Sequence, residues 1–416
     1  MEPETTTDET NKLWTKNFTL ITLGTVVSML GNAIAGFALG LLVLDYTGST
    51  FLYALFEVAY NLPKIVAPTF AGPFLDNFSR RRTIYTLDFI SAGLYGIFAW
   101  LILSGYFNYG FLIAGCLLLG TIDSIYQVAF DSFYPMLVSK GNYSKAYSIQ
   151  STLESITMFI VPVSALLYNL IGIAPLFWIN MASFLIAAIF ETRIQKEETY
   201  VKDETETFGI AQYRKTFSEG VVYLKQERGL LAITLYFMVS SFAGGVFSLI
   251  SLPYFKQNYS HGEYVYIFTM GWMMLGRLIG GVIHYRFKIP AEKKFAIALG
   301  VYITISLIDG TMFYWPIVVM MALCFFDGIL GVTSYNIRIS ATQSYVPDEK
   351  KGRFNGIFQM ATTGGMLFGQ FLSGVFTLAV PEKMVVSGAM ALNFVAVLVI
   401  IGGGRQYVKK IYNRTV

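Results

Sequence analysis

Between residues 18 and 401 the chain is a succession of apolar stretches, each about the length a helix needs to cross a bilayer, separated by short polar turns. Backbone in hydrocarbon must satisfy its own N–H and C=O groups, so stretches of this length fold as helices. We read twelve of them: 18–44, 51–75, 84–104, 110–138, 144–170 and 173–191, then 229–255, 262–285, 294–310, 314–345, 353–379 and 384–401. Charged residues make up 13% of the chain, about half of what a soluble domain carries, and they come in clumps. The expected fold is therefore an all-α integral membrane protein with two six-helix bundles.

The longest polar run, 192–228, divides the spans into 18–191 and 229–401. Within it Phe208, Phe217, Val221, Val222 and Leu224 alternate with charges, as in an amphipathic helix lying at the membrane surface. A plain solvated tether is the competing reading. Residues 1–17 and 402–416 are read as polar tails. Twenty-five of the 30 Lys and Arg fall in the tails, the linker and alternate loops, all on one side of this topology. The opposite loops hold only Lys256 and Lys383, so the positive-inside rule places both termini in the cytoplasm. A multi-pass protein of a bacterial cytoplasmic membrane, monomeric and surrounded by lipid, is expected.

Two cysteines, Cys116 and Cys324, both in apolar runs, exclude a disulfide framework. With only two histidines besides, no metal site and no cofactor is expected. The missing nucleophile–base cluster also argues against an enzyme. Basic residues scattered over many loops give no nucleic-acid face.

One turn breaks the apolar pattern sharply: "AGPFLDNFSRRRTIYTL", residues 71–87, puts one acid and three arginines between two spans. Retention of positive charge explains Arg80–Arg82 but not Asp76. The stretch "GPFLDNFSRRR" resembles the loop signature of the major facilitator superfamily, G-x-x-x-D-R-x-G-R-R, with Gly72, Asp76, Arg80 and Arg81 on its positions. Asn77 and Ser79 depart from it. The second half carries a decayed copy in "GVIHYRFK", where Gly281, Arg286 and Lys288 persist and Tyr285 replaces the acid. "LDYTGST", "SEGVVYLKQERGLL", "LGRLIGG" and "VPDEKKGRFNGIF" look like the macrolide-efflux-type branch of drug exporters. The resemblance implies alternating access between two bundles, with Gly72, Asp76, Arg80 and Arg81 clamping them on the cytoplasmic side. Two departures bear on coupling. Helix four lacks the arginine common in proton-coupled members, and helix five keeps only Pro162 of the antiporter Gly-Pro signature.

Nine ionisable residues lie within the spans: Glu57, Lys64, Asp88, Asp123, Asp131, Glu154, Arg277, Asp327 and Arg338. Each costs about 2.5–3.5 kcal/mol at the bilayer centre, so each needs a partner or a cavity. Asp88, Asp131 and Arg338 lie toward cytoplasmic ends and are assigned to the gate or the scaffold. Asp45 and Asp309, at outer helix ends, are expected to be solvated. Glu57, Asp123, Glu154 and Asp327 are the candidates for substrate binding or proton coupling, with structural pairing an equally open reading. Of the four, Asp123 and Glu154 are the foremost candidates for a proton bound and released with substrate. Tyr60, Tyr126 and Tyr236 are candidate cavity hydroxyls, although packing is the commoner role of a tyrosine inside a span. Glycines 276, 280, 281, 364, 365 and 369 mark close helix approach.

An aromatic share of 16%, with 16 Met, suits a cavity for a small amphipathic molecule better than one for a sugar. The expected function is export of such drug- or macrolide-like substrates, coupled to protons. A lipid or lysolipid flippase, an exporter of a siderophore-like metabolite and nutrient uptake on the same scaffold are the alternatives.

Overall fold

A computed structural model describes residues 12–65, 78–106, 108–139, 160–196, 221–287 and 289–414, together with residues 142, 146, 149, 150, 153, 157, 198 and 218. The helices are α1 Lys16–Thr47, α2 Thr50–Asn61, α3 Arg80–Leu103, α4 Tyr109–Leu137, α5 Ile160–Ile171, α6 Ile173–Thr192 and α7 Arg228–Asn258. They continue with α8 Gly262–Arg286, α9 Lys294–Thr311, α10 Ile317–Tyr345, α11 Asp348–Phe376, α12 Glu382–Ala396 and α13 Arg405–Tyr412. Among the described residues nine helices are long and apolar enough to cross a membrane. The other three expected spans correspond to α2 and α5, each described over 12 residues, and α11, whose first turn is charged from Asp348 to Arg353. Most of the linker lies outside the described residues, as do Gly72 and Asp76.

The helix ends follow local chemistry. Thr15, Ser79 and Asn108 cap α1, α3 and α4 by accepting from Phe18, Arg82 and Phe111 N–H, satisfying donors that the first turn leaves unpaired. The first helix stops at Gly48, which takes the left-handed φ of 57° and donates to the Leu44 carbonyl at 2.9 Å. Past α12 a π-helical turn, Val397–Gly402, runs toward α13. That segment, read from sequence as a polar tail, is a helix whose Val408, Ile411 and Tyr412 are buried. The Tyr412 hydroxyl meets that of Tyr302 on α9 at 2.8 Å.

The contacts divide the chain into two compact units, Met1–Gly48 with Ala59–Phe208, and Ser49–Val58 with Gly209–Val416. In the first, α6 is the central element and packs along both α1 and α3. Gly31 of α1 lies so close to Asn180 and Ser183 of α6 that a Cβ there would collide with both side chains. Tyr95 of α3 stacks on Phe184 of α6 at 5.7 Å between centroids. Toward the linker end of this unit, Phe18, Ile84, Phe130 and Phe133 form a buried core.

In the second unit the main seams are α7 on α11 and α8 on α10. Lipid tails are as apolar as leucine, so helices in a membrane adhere by close backbone approach rather than by a hydrophobic drive. Gly245 rests on the Met366 backbone while Gly365 and Gly369 rest on the Met238 and Phe242 backbones. The other seam is built alike, Gly276 against Phe325 and Gly328 against Met273. Gly281 and Gly364, read in the same stripes, have open space beside them. The first turns of α2 cluster with this unit, where Thr50 donates to Glu382 at 2.6 Å and accepts from Gln257 at 3.3 Å.

Replacing Gly276 by leucine places a side chain on the Phe325 carbonyl, an overpacking that costs about 1–3 kcal/mol. The purified Gly276→Leu variant is expected to melt below wild type by differential scanning fluorimetry. Gly281→Leu, with nothing within 4 Å, is expected to melt like wild type.

Candidate functional site

Asp88 and Asp123 of the first unit line one cavity. Gly120 brings α4 against α2, since a Cβ at that position would strike the Tyr60 carbonyl. One turn on, Asp123 Oδ2 meets Lys64 Nζ at 3.2 Å, with both side chains a little over one-third exposed. The same ammonium stands over the Tyr60 ring at 4.4 Å from the centroid. Lys64 and Asp123 thus supply each other's counter-charge in a medium where neither is tolerated alone. The cavity behind them measures about 30 Å³ and is lined by Asn32, Tyr60, Asp88, Tyr95, Asp123 and Tyr126, among others. That is room for a water molecule or two.

Asp88 reaches this cavity from α3 and is 2% exposed. Glu191 of α6 is fully buried. Tyr126 donates to Glu191 Oε1 at 3.3 Å. The sequence reading assigns Asp88 to the gate or the scaffold beside the arginines of the turn, and in the structure it lines the cavity. Those arginines have other partners. The backbone N–H groups of Arg80 and Arg81 donate to Glu198 at 2.9 Å, Arg80 Nη1 donates to the Ser132 carbonyl and Arg81 Nη1 to the Ile194 carbonyl. Asp131, farther along α4, accepts from Gln127 at 2.9 Å and is exposed.

In the second unit Asp327 of α10 and Asp309 of α9 are both buried, and Arg277 lies on α8. Asp309 corrects the sequence reading. It is 7% exposed rather than solvated, because α9 turns the stripe Tyr302, Ser306 and Asp309 inward against α10 and α12. Asn393 of α12 donates to Ser306 at 2.9 Å on that face. Arg338 lies over the rings of Phe237, Tyr335 and Phe358, at 5.4, 5.1 and 4.7 Å. Tyr236 is buried against Tyr302 at 4.7 Å between centroids, so its ring serves packing and no open cavity. Glu57 lies on α2, one turn beyond the buried Tyr53. Glu154 lies outside the described residues.

No group of three His, Cys, Asp or Glu side chains among the described residues could hold a metal ion. The structure thus brings Tyr60, Lys64, Asp88, Asp123 and Tyr126 together, and adds Glu191, which the sequence reading left at a span end. A signal for it existed. Asn180, Ser183, Ala187 and Glu191 follow helical spacing and form one polar or small face of α6. If Lys64 and Asp123 balance each other, the neutral variants Lys64→Gln and Asp123→Asn should each lower the melting temperature. The double variant should lose less than the sum, with a coupling of about 0.5–3 kcal/mol in a double-mutant cycle.

Comparison with known proteins agrees with this architecture. The sequence model of the Major Facilitator Superfamily matches residues 21–370. The chain is 25% identical over 388 residues to the MFS-type transporter YkuC of Bacillus subtilis (strain 168), covering 86% of this chain and 87% of that protein. It is also 25% identical over 393 residues to macrolide efflux protein A of Streptococcus pyogenes, covering 91% and 94%. A bacterial homologue of the iron transporter ferroportin, crystallised in an inward-facing state, superposes with a TM-score of 0.67 at 14% identity, covering 94% of this chain and 98% of that one. At that identity the likeness speaks for the fold alone. With its model spanning most of the sequence and nine membrane-length helices among the described residues, the chain belongs to the major facilitator superfamily of multi-pass membrane transporters.

Proposed function

We propose that the protein is a secondary active transporter that exports amphipathic, drug- or macrolide-like small molecules across the cytoplasmic membrane by alternating access, driven by protons. The observation that carries the reading is the Lys64–Asp123 pair inside the span region, beside a cavity edged by Tyr60, Tyr95 and Tyr126. A partly exposed ion pair among aromatic rings can bind either sign of charge on an amphipathic ligand by exchanging one partner for it, while the rings supply apolar contact. Tyr126 joins the pair's cavity to the buried carboxyl groups, which are the protonatable elements that coupling needs. The similarity to a macrolide efflux protein along 91% of the chain supports the substrate class.

A lipid or lysolipid flippase is the second reading. The second unit holds a cavity of about 260 Å³ between α7, α11 and α12, lined by apolar side chains that include Phe242, Val246, Phe376, Val380, Met384 and Leu392. Such a lining accommodates an acyl chain and offers no polar group to orient a soluble drug.

Expression in an efflux-deficient host should lower accumulation of radiolabelled erythromycin, and an uncoupler should abolish the difference. Equal accumulation with and without the protein, for erythromycin and for a panel of cationic dyes, would remove the drug-export reading. Scrambling of a fluorescent lysolipid in proteoliposomes would then support the second one. Neutralising Asp123 by Asp123→Asn is expected to abolish uncoupler-sensitive export at unchanged membrane expression, read on immunoblots.

A further inference from the structure

We propose that Arg338 anchors a binding site for an acidic amphiphile, its guanidinium taking a carboxylate or phosphate and the rings around it taking the apolar part. The site belongs to the second unit and stands whether or not the transport reading above holds.

Arg338 lies on α10 seven residues before its end at Tyr345, about 10 Å inside the helix along its axis. A guanidinium stays charged in proteins and carries five N–H donors and no acceptor. Within a span such a group needs an anion or water beside it. Among the described residues no carboxylate lies within ion-pair distance of it, and its Nε, shut off from the surface, has no acceptor. What surrounds it is aromatic: the rings of Phe237 on α7, Tyr335 on α10 and Phe358 on α11, at 5.4, 5.1 and 4.7 Å. Ring faces attract the charge but leave the N–H fork without the oxygen acceptors it is shaped for. An anion is what this arrangement lacks.

The rings do not enclose it. Phe358 is 8% exposed, but Tyr335 is 54% exposed and Arg338 itself is only half-buried. Gly331, Tyr335 and Arg338 follow helical spacing on one face of α10, and a Cβ at Gly331 would meet nothing within 4 Å. An arginine turned straight to lipid is not tolerated, so this face meets water, and a dissolved anion reaches it. Other groups of the unit do not supply the missing acceptor. Glu227 accepts from the Tyr345 hydroxyl at 2.9 Å and Glu382 from Thr50 at 2.6 Å. Asp327 is eleven residues back on α10, about 16 Å along the axis. The buried hydroxyls of the same core, Tyr302 and Tyr412, bond each other at 2.8 Å. Carboxylate and phosphate each present two oxygens to a guanidinium, the geometry of a bidentate charge-assisted pair. A ligand body lying along Gly331 and Tyr335 brings its acidic group to Arg338, and an aromatic body matches the rings. A cation is refused there by like charge.

The site is tested on the purified full chain in dodecyl maltoside, a detergent without charge. Naphthalene-2-carboxylate is the probe, and the fluorescence anisotropy of its own naphthyl group reports binding. Naphthalene-2-carboxamide has the same body without the charge and is the control. Wild type is expected to bind the acid about tenfold or more tighter than the amide, as a charge-assisted pair implies. Arg338→Gln should abolish that preference. Arg338→Lys, which keeps the charge and loses the fork, should retain only part of it. Both variants should elute as wild type by gel filtration. Equal binding of acid and amide by wild type overturns the site, and so does an undiminished preference in folded Arg338→Gln. Should the glutamine variant misfold, the wild-type comparison and Arg338→Lys decide. Tyr335→Leu should weaken both probes several-fold, and unchanged binding of both removes the rings from the site. Phosphatidylglycerol added to the micelles separates the two sources of the anion. Unchanged affinity of wild type for the acid assigns Arg338 to an acidic solute, and weakened affinity assigns it to a lipid phosphate.

Discussion

An isolated charge in hydrocarbon is tolerated only beside a partner, and that constraint organises most of what is functional in this protein. Lys64, just past the end of α2, meets Asp123 of α4, and Tyr126 of α4 donates to the buried Glu191 of α6. Each contact joins two segments of the first unit, so each is one that helix movement can make or break. A pair whose partner can be replaced by a ligand or a proton is a binding site.

Glycine supplies the geometry that makes the pairings possible. At Gly120 the backbone of α4 comes against that of α2, which shortens the gap Lys64 must span. Gly24 lets α1 close over Glu191 and seal it from water. In the second unit the paired seams of Gly245 with Gly365, and of Gly276 with Gly328, hold four helices at backbone contact, the α8–α10 seam adding a hydrogen bond between His284 and Thr333 at 2.7 Å. Small residues thus set the distances, and the few charged residues act at the distances so set.

How far the site was legible in the sequence varies with the residue. Asp123, Tyr60 and Tyr126 stood out because an acid or a hydroxyl in an apolar run demands an explanation, and the structure gathers them at one cavity. Glu191 escaped notice and Asp309 was read as solvated because each lies near a helix end, where sequence alone cannot separate a residue facing water from one turned onto a neighbouring helix. Helical spacing with Asn180 and Ser183, or with Tyr302 and Ser306, carried the information about facing. It did not carry the identity of the facing helix. Tyr236 failed in the opposite direction: a hydroxyl on a span reads as a cavity group, while its ring is closed in by Tyr302 and Phe237.

Composition and spacing by themselves determined that this chain is helical and multi-pass, with nine of the expected spans found as membrane-length helices among the described residues. Hydrocarbon leaves the backbone one solution for a long apolar stretch, and that solution depends only on local sequence. Glycine stripes and intramembrane charges could likewise be enumerated from the string of residues. Which charge answers which was settled by tertiary structure alone. Lys64 pairs with Asp123, 59 positions away, and Tyr126 with Glu191, 65 positions away, because the helices bring these distant segments side by side. Pairing of that kind depends on helix neighbours and their depth, and neither is a property of any single helix.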